Sequence, residues 1–348
     1  MRLALIGISN SGKTTIFNAL TGQRIPVTQY PETTAGKPHI GAVNVPDSRL
    51  ERLSLLFKPK KTTYTQIEVM DYIGFIKGDA KQNRAVLEHI KDADALLHVV
   101  RAFQDDMVIH PMGSIDPLRD IKAVESELLF WDFSLVDKRL ESMEQSAKKG
   151  KKPDEEEKKV LLRFKDSLEK EIPLRDVRLT ADEHRAIRHL QFLSIKPEVI
   201  VINLKEAGTG FREGETLTLS VFGKLEMELR ELSPNEAKAF RDDMGIEGTI
   251  VERLTHALYE SLGLISFFTV VGDEVRAWSI KRGETCLNAA GKVHSDMERG
   301  FIRAEVISFE DFMKVKDMAE AKSLGLLRLE GKTYVVKDGD IINFRFGV

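Results

Sequence analysis

Residues 7–14 are the part of the chain whose types and spacing point most directly to a chemistry. They form Gly7-Ile8-Ser9-Asn10-Ser11-Gly12-Lys13-Thr14, a complete GxxxxGK[ST] phosphate loop. In this pattern the backbone amides contact phosphates, the lysine ammonium reaches the β and γ oxygens, and the hydroxyl ligates Mg²⁺. The residues expected to bind a nucleoside triphosphate are Gly7, Ser9, Asn10, Ser11, Gly12, Lys13, Thr14 and Thr15, with Lys13 also catalytic and Thr14 a metal ligand.

The segments on either side of this loop have the periodicities that a phosphate loop requires. The apolar run at residues 3–6 predicts a short buried strand, and Ile16, Phe17 and Leu20 share one face of a predicted helix. The first turn of that helix directs backbone N–H groups toward the phosphates. A glycine-rich turn without a ligand is the alternative interpretation.

Two later segments carry candidate magnesium ligands. Residues 28–38 are rich in turn formers and predict a loop, in which Thr34 is expected to reach Mg²⁺ when the γ-phosphate is bound. The alternative is that Thr33 and Thr34 are solvated loop residues. The predicted strand at residues 65–70 then delivers Asp71 and Gly74 of a DxxG motif, and Asp71 is expected to hold the metal through water.

Two more apolar runs, at residues 95–100 and 197–202, predict further strands of a parallel sheet with its ligand at their carboxyl ends. Asn203, Leu204 and Glu206 follow the second run, at the position where GTPases read guanine with NKxD. Here Leu204 replaces the lysine, and Glu206 is one methylene longer than the aspartate that binds guanine. Loss of the two hydrogen bonds between that acid and guanine costs about 1–3 kcal/mol, so adenine becomes an alternative base. A strand-end turn with an asparagine cap is the other interpretation. The further residues expected at the nucleotide are Ser220, Val221 and Phe222.

Composition limits the class of protein. With 348 residues, 42% apolar and 31% charged, the chain is typical of globular proteins with more than one domain. The net charge of −3 excludes a global polycation, so any nucleic acid must be bound by local patches. The single Cys286 excludes an intramolecular disulfide. Met1 leads directly into the first strand and no apolar run reaches membrane-spanning length, so we expect a cytoplasmic protein without a membrane partner.

Apolar spacing between residues 121 and 147 predicts a long amphipathic helix, which returns after a charged turn as a second helix carrying Leu161, Phe164 and Leu168. This helical hairpin has four lysines at its tip, a candidate nucleic-acid contact or simply solvated surface. From residue 264 the chain is β-rich, which predicts a small mixed sheet with one short helix near residues 289–294. Residues 337–340 predict a hairpin between strands at 334–336 and 342–346.

Taken together, these residues resemble the Obg-like ATPases of the YchF type, and the likeness runs nearly end to end. The stretches that carry it beyond the phosphate loop are residues 98–106, His110, 116–121, 274–278, 290–294, 300–306 and 336–346. The resemblance implies an α/β fold in which a Ras-like, Obg-like P-loop NTPase domain carries an inserted coiled-coil hairpin and a C-terminal TGS domain of β-grasp shape. The implied limits are 1–133 and 181–262 for the nucleotide domain, 134–180 for the hairpin and 263–348 for the TGS domain. It also implies an altered base motif, NxxE, that accepts ATP at least as well as GTP.

The chain departs from the family pattern at two places. The loop after Gly78 is shorter than usual, and the phosphate loop has Ser9 and Ser11 where proline and valine are usual. The residue after DxxG is Phe75, which cannot orient water as the glutamine of Ras-like GTPases does. His110 is the candidate substitute, because a neutral imidazole can align a water near pH 7; a surface or capping role is its alternative. Asn10 matches the residue by which related loops recruit K⁺.

We therefore expect an enzyme with slow ATP hydrolysis, Mg²⁺ as cofactor and stimulation by K⁺. It is expected to be a monomer that contacts the ribosome or RNA through the hairpin and the TGS domain. The cations that could line a phosphate-binding face in the C-terminal part are Arg276, Lys281, Arg282, Lys292, Arg299 and Arg303. Two alternatives stay open: a GTP-specific GTPase, and a non-catalytic scaffold gated by nucleotide.

Overall fold

The structure is a computed structural model that describes residues 1–27, 38–205 and 218–347. The chain divides into two compact units, each discontinuous in sequence. The first comprises Met1–Val43 and Glu68–Arg253, and the second comprises Asn44–Ile67 and Leu254–Val348.

The strands in chain order are β1 (Arg2–Ile6), β2 (His39–Asn44), β3 (Lys61–Thr63), β4 (Gln66–Asp71), β5 (Ala95–Arg101), β6 (Glu198–Asn203), β7 (Thr218–Val221), β8 (Leu264–Val271), β9 (Glu274–Lys281), β10 (Phe301–Ser308), β11 (Arg328–Glu330) and β12 (Asp340–Phe346). The helices are α1 (Lys13–Thr21), α2 (Ser48–Phe57), α3 (Ala80–His89), α4 (Pro117–Lys148), α5 (Glu155–Glu169), α6 (Ala181–Ile187), α7 (Gly223–Leu229), α8 (Pro234–Asp243), α9 (Ile250–Leu262), α10 (Cys286–Val293), α11 (Ser295–Arg299), α12 (Phe309–Val315) and α13 (Met318–Ser323). Short 3₁₀ turns cover Ile90–Asp92, Leu174–Asp176 and Arg188–Leu190.

The sheet of the first unit has the strand order β2-β4-β1-β5-β6-β7. β1 pairs in parallel with β4 and β5, β5 with β6, and β6 with β7. Every residue of β5 and β6 is buried, as expected for parallel strands covered on both faces. The predicted parallel sheet is confirmed, and the carboxyl ends of β1, β4, β5 and β6 lie at one edge.

The predicted pair of long helices is present as α4 and α5. Asp116 caps α4 by accepting from the Arg119 amide, and Pro117 occupies the first turn, where its missing N–H costs nothing. Asp154 caps α5 in the same way. The apolar faces of the two helices form one cluster that includes Val136, Met143, Val160, Phe164 and Leu168. The long helix begins at Pro117, earlier than the hairpin limit of 134 expected from sequence, so its first turns belong to the body of the first unit.

The second unit contains a mixed sheet with the order β11-β10-β12-β8-β9-β3. β8 and β9 are antiparallel, β10 and β12 are antiparallel, and β12 runs parallel to β8. Helix α10 packs on one face through Cys286, Ala289 and Ala290. This is the predicted small mixed sheet, while its assignment as a TGS domain remains a prediction.

The limits of the two units differ from the predicted domains, because residues 44–67 belong to the second unit. β3 pairs in parallel with β9, and Leu50 and Leu53 of α2 are fully buried in a cluster with Phe268 and Phe312. The sequence pattern of α2 indicates an apolar face but does not say which sheet receives it. The C-terminal segment of the second unit begins at Leu254, within α9, nine residues before the predicted limit of 263.

The predicted hairpin over residues 334–346 is wrong. β12 forms as expected, but residues 334–336 pair with the chain before α10, through the Cys286 amide to the Tyr334 carbonyl and the Val336 amide to the Glu284 carbonyl. Asp340 holds the turn by accepting from the Tyr334 hydroxyl at 2.8 Å and the Lys337 amide at 2.8 Å. Residues 337–340 form the predicted turn, but residues 334–336 before it pair with residues 284–286 and not with β12.

None of the helices in the described part of the chain is long and apolar enough to cross a lipid bilayer.

Candidate functional site

The backbone of the phosphate loop adopts conformations that favour glycine. Gly7 has a φ of 144°, and a Cβ built on it would lie 2.3 Å from the Val99 carbonyl oxygen. Gly12 has a φ of 93°, and its Cβ would lie 2.2 Å from Asn203 Nδ2. Asn10 is also left-handed, with a φ of 64°. A side chain at Gly7 or Gly12 would therefore force the backbone between β1 and α1 to move.

Lys13 is buried and its ammonium binds back onto the loop. Its Nζ donates to the Ile8 carbonyl at 3.1 Å and to the Gly7 carbonyl at 3.4 Å. Burial lowers the pKa of Lys13 to about 8, against the opposing effect of Asp71. A triphosphate placed against this nitrogen would supply the negative charge that favours the ammonium form.

Thr14 and Asp71 provide a pair of hard oxygen donors beside the loop. The Thr14 hydroxyl donates to Asp71 Oδ2 at 2.8 Å, and His39 Nδ1 lies 3.6 Å from the same oxygen. Burial raises the pKa of Asp71, and its Oδ1 is buried with no hydrogen-bond partner among the described residues. An unpartnered carboxylate oxygen next to a threonine hydroxyl fits Mg²⁺, which prefers such ligands and keeps several waters.

Phe75 joins the phosphate loop to the DxxG segment. Its amide donates to the Gly7 carbonyl at 3.0 Å, and its carbonyl accepts from the Ser9 amide at 3.0 Å. The ring is buried in the same apolar cluster as Ile8. A Cβ on the preceding Gly74 would lie 2.5 Å from the Ser9 backbone, so the two segments touch. The side chain of Phe75 therefore has a packing role.

Asn203, the last residue of β6, connects its strand to the phosphate loop and to the start of α7. Its Nδ2 donates to the Ser11 carbonyl at 3.1 Å, and its Oδ1 accepts from the Gly223 amide at 3.1 Å. The Leu204 amide donates to the Val221 carbonyl at 2.8 Å. Both ends of the Asn203 amide are thus bound to backbone, in a positioning role that sequence reasoning did not predict.

The remaining predicted nucleotide residues are placed as follows. Thr15 is half-buried in the first turn of α1. Ser220 and Val221 end β7 beside Asn203, and Phe222 precedes α7. Thr34 and Glu206 lie outside the described residues.

His110 is buried beside the first turn of α4, with both ring nitrogens bound. Nε2 lies 2.8 Å from Asp120 Oδ2, and Nδ1 accepts from the Met112 amide at 3.1 Å. Because Nδ1 accepts, the proton is on Nε2 and the ring is the neutral donor to Asp120. Burial lowers the pKa of His110, although Asp120 opposes the shift. In this conformation the imidazole offers no free nitrogen to a water.

The loop that carries His110 is tied to the phosphate loop by Asn10. Asn10 Nδ2 donates to the Ile109 carbonyl at 3.0 Å. The sequence predicted neither the contact of Asn10 with Ile109 nor the contact of His110 with Asp120. Asp120 does lie in the 116–121 stretch that carries the family likeness. His39 was also missed, since no local pattern marks a histidine that meets Asp71 only through folding.

The chain is similar to known proteins over nearly its whole length. A family model described as a 50S ribosome-binding GTPase matches residues 2–163, and one for the YchF GTPase C-terminal region, described as a protein of unknown function (DUF933), matches residues 264–347. The chain is 39% identical over 361 residues to the ribosome-binding ATPase YchF of Bacillus subtilis (strain 168), covering 99% of this chain and 98% of the relative. It is 37% identical over 362 residues to the ribosome-binding ATPase YchF of Escherichia coli O157:H7, covering 100% and 99%. The solved structure of the Schizosaccharomyces pombe YchF GTPase superposes with a TM-score of 0.81 at 26% identity, covering 99% and 97%.

Proposed function

Because this chain belongs to the YchF family, we propose that it is a Mg²⁺-dependent nucleotide hydrolase that binds ribosomes and cleaves ATP slowly. GTP is a second substrate of the same site. The nucleotide state sets how the helical hairpin and the C-terminal unit engage the ribosome, so the protein works as a switch in the cytoplasm.

The observation that carries this proposal is the convergence of Lys13, Thr14 and Asp71 around the glycine-lined loop. The buried Lys13 ammonium, which binds carbonyls of its own loop, fits the triphosphate. The unpartnered carboxylate oxygen of Asp71 fits the magnesium ion. In that complex Lys13 would contact the β and γ oxygens, while Thr14, Asp71 and Thr34 would hold the metal directly or through water. The metal would neutralise charge that develops on the transferred phosphoryl group.

Calorimetric titration of the full chain with MgATP and MgGTP tests the binding step. We expect ATP to bind at least as tightly as GTP, and Lys13→Ala to lose both nucleotides. Lys238→Ala is the matched control, because Lys238 is exposed on α8 and pairs only with Asp242 among the described residues. Loss of binding in the control, or its retention in Lys13→Ala, would contradict the assignment.

Two alternatives have specific support. A GTP-specific switch is supported by the match of residues 2–163 to a GTPase family model, and binding of GTP without ATP would favour it. A non-catalytic scaffold is favoured by the buried Phe75 and by the engaged nitrogens of His110. Phosphate release measured over many turnovers separates the enzyme from the scaffold, and we expect slow release that is lost in His110→Ala.

Potassium is a proposed activator at Asn10. Its Nδ2 is bound to Ile109, which leaves the amide oxygen as the group that could face a cation at the phosphates. We expect turnover to rise when Na⁺ is replaced by K⁺ at constant ionic strength, and the rise to disappear in Asn10→Ala.

Ribosome or RNA contact is proposed through exposed cations on both units. The hairpin tip presents Lys148, Lys149, Lys151 and Lys152, all exposed. In the second unit Arg276 stacks on Trp278 at 4.0 Å, and Lys281, Arg282, Lys292, Arg299 and Arg303 are exposed. Changing the four tip lysines to glutamine should weaken co-sedimentation of the monomeric protein with ribosomal subunits and reduce its salt dependence, while nucleotide binding is kept.

A further inference from the structure

The contact between His110 and Asp120 is a buried hydrogen bond from a neutral imidazole to a carboxylate. Both side chains are nearly fully buried, with 6% and 4% of their surface exposed, and Nε2 and Oδ2 are 2.8 Å apart. The Met112 amide occupies the opposite nitrogen of the ring. The imidazole is therefore held from both sides, in one tautomer and one orientation.

Asp120 is itself fixed in place. Its Oδ1 accepts from Arg119 Nε at 3.0 Å and from Arg119 Nη2 at 2.8 Å. It lies in the first turn of α4, where the N-terminal end of the helix stabilises a carboxylate. Oδ2 is thus left to His110 while Oδ1 is anchored, so the carboxylate is a rigid acceptor for the ring.

The loop between β5 and α4 is clamped at further points. Arg101, at the end of β5, donates through Nε to the Phe103 carbonyl at 3.1 Å and through Nη2 to the Val108 carbonyl at 2.9 Å. Asn10 of the phosphate loop binds the Ile109 carbonyl, one residue before His110. The position of His110 is therefore connected to Asn10, the residue proposed to contact K⁺ and the nucleotide.

We propose that Asp120 is a positioning residue that holds His110 withdrawn from the nucleotide, and that each turnover requires the Nε2–Oδ2 hydrogen bond to break. This inference rests on the proposed hydrolysis and on His110 as the group that aligns water. A ring with both nitrogens bound cannot act on a water. The strength of the hydrogen bond to Asp120 therefore sets how often the His110 ring is free to turn toward the water at the nucleotide. Rearrangement of Asn10 by a bound cation or phosphate is the event that loosens the same loop.

The first test compares turnover at saturating ATP in the full chain for wild type, Asp120→Asn and Asp120→Ala. We expect kcat to rise about tenfold in Asp120→Ala and less in Asp120→Asn, whose amide oxygen still accepts, with the Kd for ATP unchanged. A tenfold change corresponds to about 1.4 kcal/mol of barrier. Asp116→Ala is the matched control: it removes the cap of the same helix without contacting His110, so it should lower stability and leave kcat unchanged.

The second test is the same substitution in a His110→Ala background, where the gain must vanish. An unchanged or lower kcat in Asp120→Ala with normal ATP binding overturns the proposal, and so does a gain that persists without His110. Failure of the proposed hydrolysis is seen separately, because the wild type would then show no turnover. Failure of the His110 assignment is seen as wild-type turnover in His110→Ala.

A readout that does not depend on activity is the imidazole proton. In the nucleotide-free protein the Nε2–H of His110 should give a downfield, slowly exchanging NMR resonance, which Asp120→Asn shifts and ADP with aluminium fluoride removes. The charged groups that face the ring are Asp120, Arg101 and Arg119. A resonance that persists unchanged with the transition-state mimic would show that the ring stays docked, against the proposal.

Discussion

The glycines of the phosphate loop are the residues at which side-chain size decides whether the loop can form. At Gly12 two constraints coincide: a positive φ that other residues adopt at a cost of about 1–3 kcal/mol, and an added Cβ that meets Asn203 Nδ2. Asn203 cannot move freely, because it holds the Ser11 carbonyl and the Gly223 amide. A methyl group at Gly12 would therefore disturb both the phosphate loop and the hydrogen bonds of Asn203.

Gly12→Ala should weaken ATP binding at least tenfold while the chain stays folded, because the loop must open to accept the methyl group. Calorimetric titration with MgATP measures the affinity, and circular dichroism verifies the fold. Gly331→Ala serves as the control, since a Cβ there meets nothing within 4 Å in the part of the chain that the structure describes. Wild-type affinity in Gly12→Ala would show that the loop tolerates the added methyl group.

Cys286 is a residue whose thiol reactivity is set mainly by burial. It is 0% exposed at the start of α10, and burial raises the pKa of its thiol to about 12. We expect no reaction with a disulfide-forming thiol reagent at pH 8 until the second unit unfolds, when one thiol per chain should react. Because the unfolded thiol ionises first, its contribution to stability is present below pH 9 and is lost as pH rises toward 12. Rapid stoichiometric labelling of the native chain would refute this.

At the scale of elements, α4 connects the nucleotide site to the hairpin. Its first turn holds Asp120, and its middle holds Asp132, which is fully buried. The Asp132 carboxylate accepts from the Leu193 amide at 2.9 Å, the Ser194 amide at 2.7 Å and the Ser194 hydroxyl at 2.7 Å. The chain that enters β6 is thus attached to the same helix that holds His110.

Asp132→Ala should lower the free energy of unfolding by about 3 kcal/mol, because it leaves buried donors of Leu193 and Ser194 without an acceptor. Urea titration followed by circular dichroism measures this. Asp137→Ala, which breaks the half-exposed pair with Lys165 on the same helix pair, should cost less than about 1 kcal/mol. Equal effects of the two substitutions would mean that the buried hydrogen bonds contribute little.

At the scale of the whole molecule, the chain leaves the first unit after β2, builds part of the second unit, and returns in β4. Helix α2 and strand β3 complete the core and one edge of the C-terminal sheet. Residues 38–43 are therefore followed along the chain directly by the second unit. A C-terminal fragment cut at residue 263 lacks this part of its core.

A fragment of residues 254–347 should be less stable than one in which residues 44–67 are attached to it by a flexible linker. Burying Leu50 and Leu53 contributes about 1.5–3 kcal/mol each, so we expect a difference of at least 3 kcal/mol in the free energy of unfolding. Thermal or urea unfolding of the two fragments provides the measurement. A linked fragment with Leu50 and Leu53 both changed to alanine should behave like the short one; equal stability of all three would contradict the assignment.

Local patterns were sufficient for much of this protein. The phosphate loop, the strands β1, β4, β5 and β6, and the long helix pair were predicted from spacing, because periodicity reports which face of an element is buried. The family was likewise evident from short stretches distributed along the chain. The presence of Lys13, Thr14 and Asp71 at one sheet edge followed from the rule that parallel strands end on the same side.

Only the tertiary structure decided which buried surfaces pack against each other. Asn203 binds a carbonyl 192 positions away, α2 packs into the second unit, and residues 334–336 pair with the start of α10 instead of with β12. The docking of His110 on Asp120 belongs to the same group. The physical reason is that hydrophobic periodicity and residue propensity determine the type of a helix or strand and its buried face. Contacts between residues distant in sequence are selected by packing and hydrogen bonding in the whole fold.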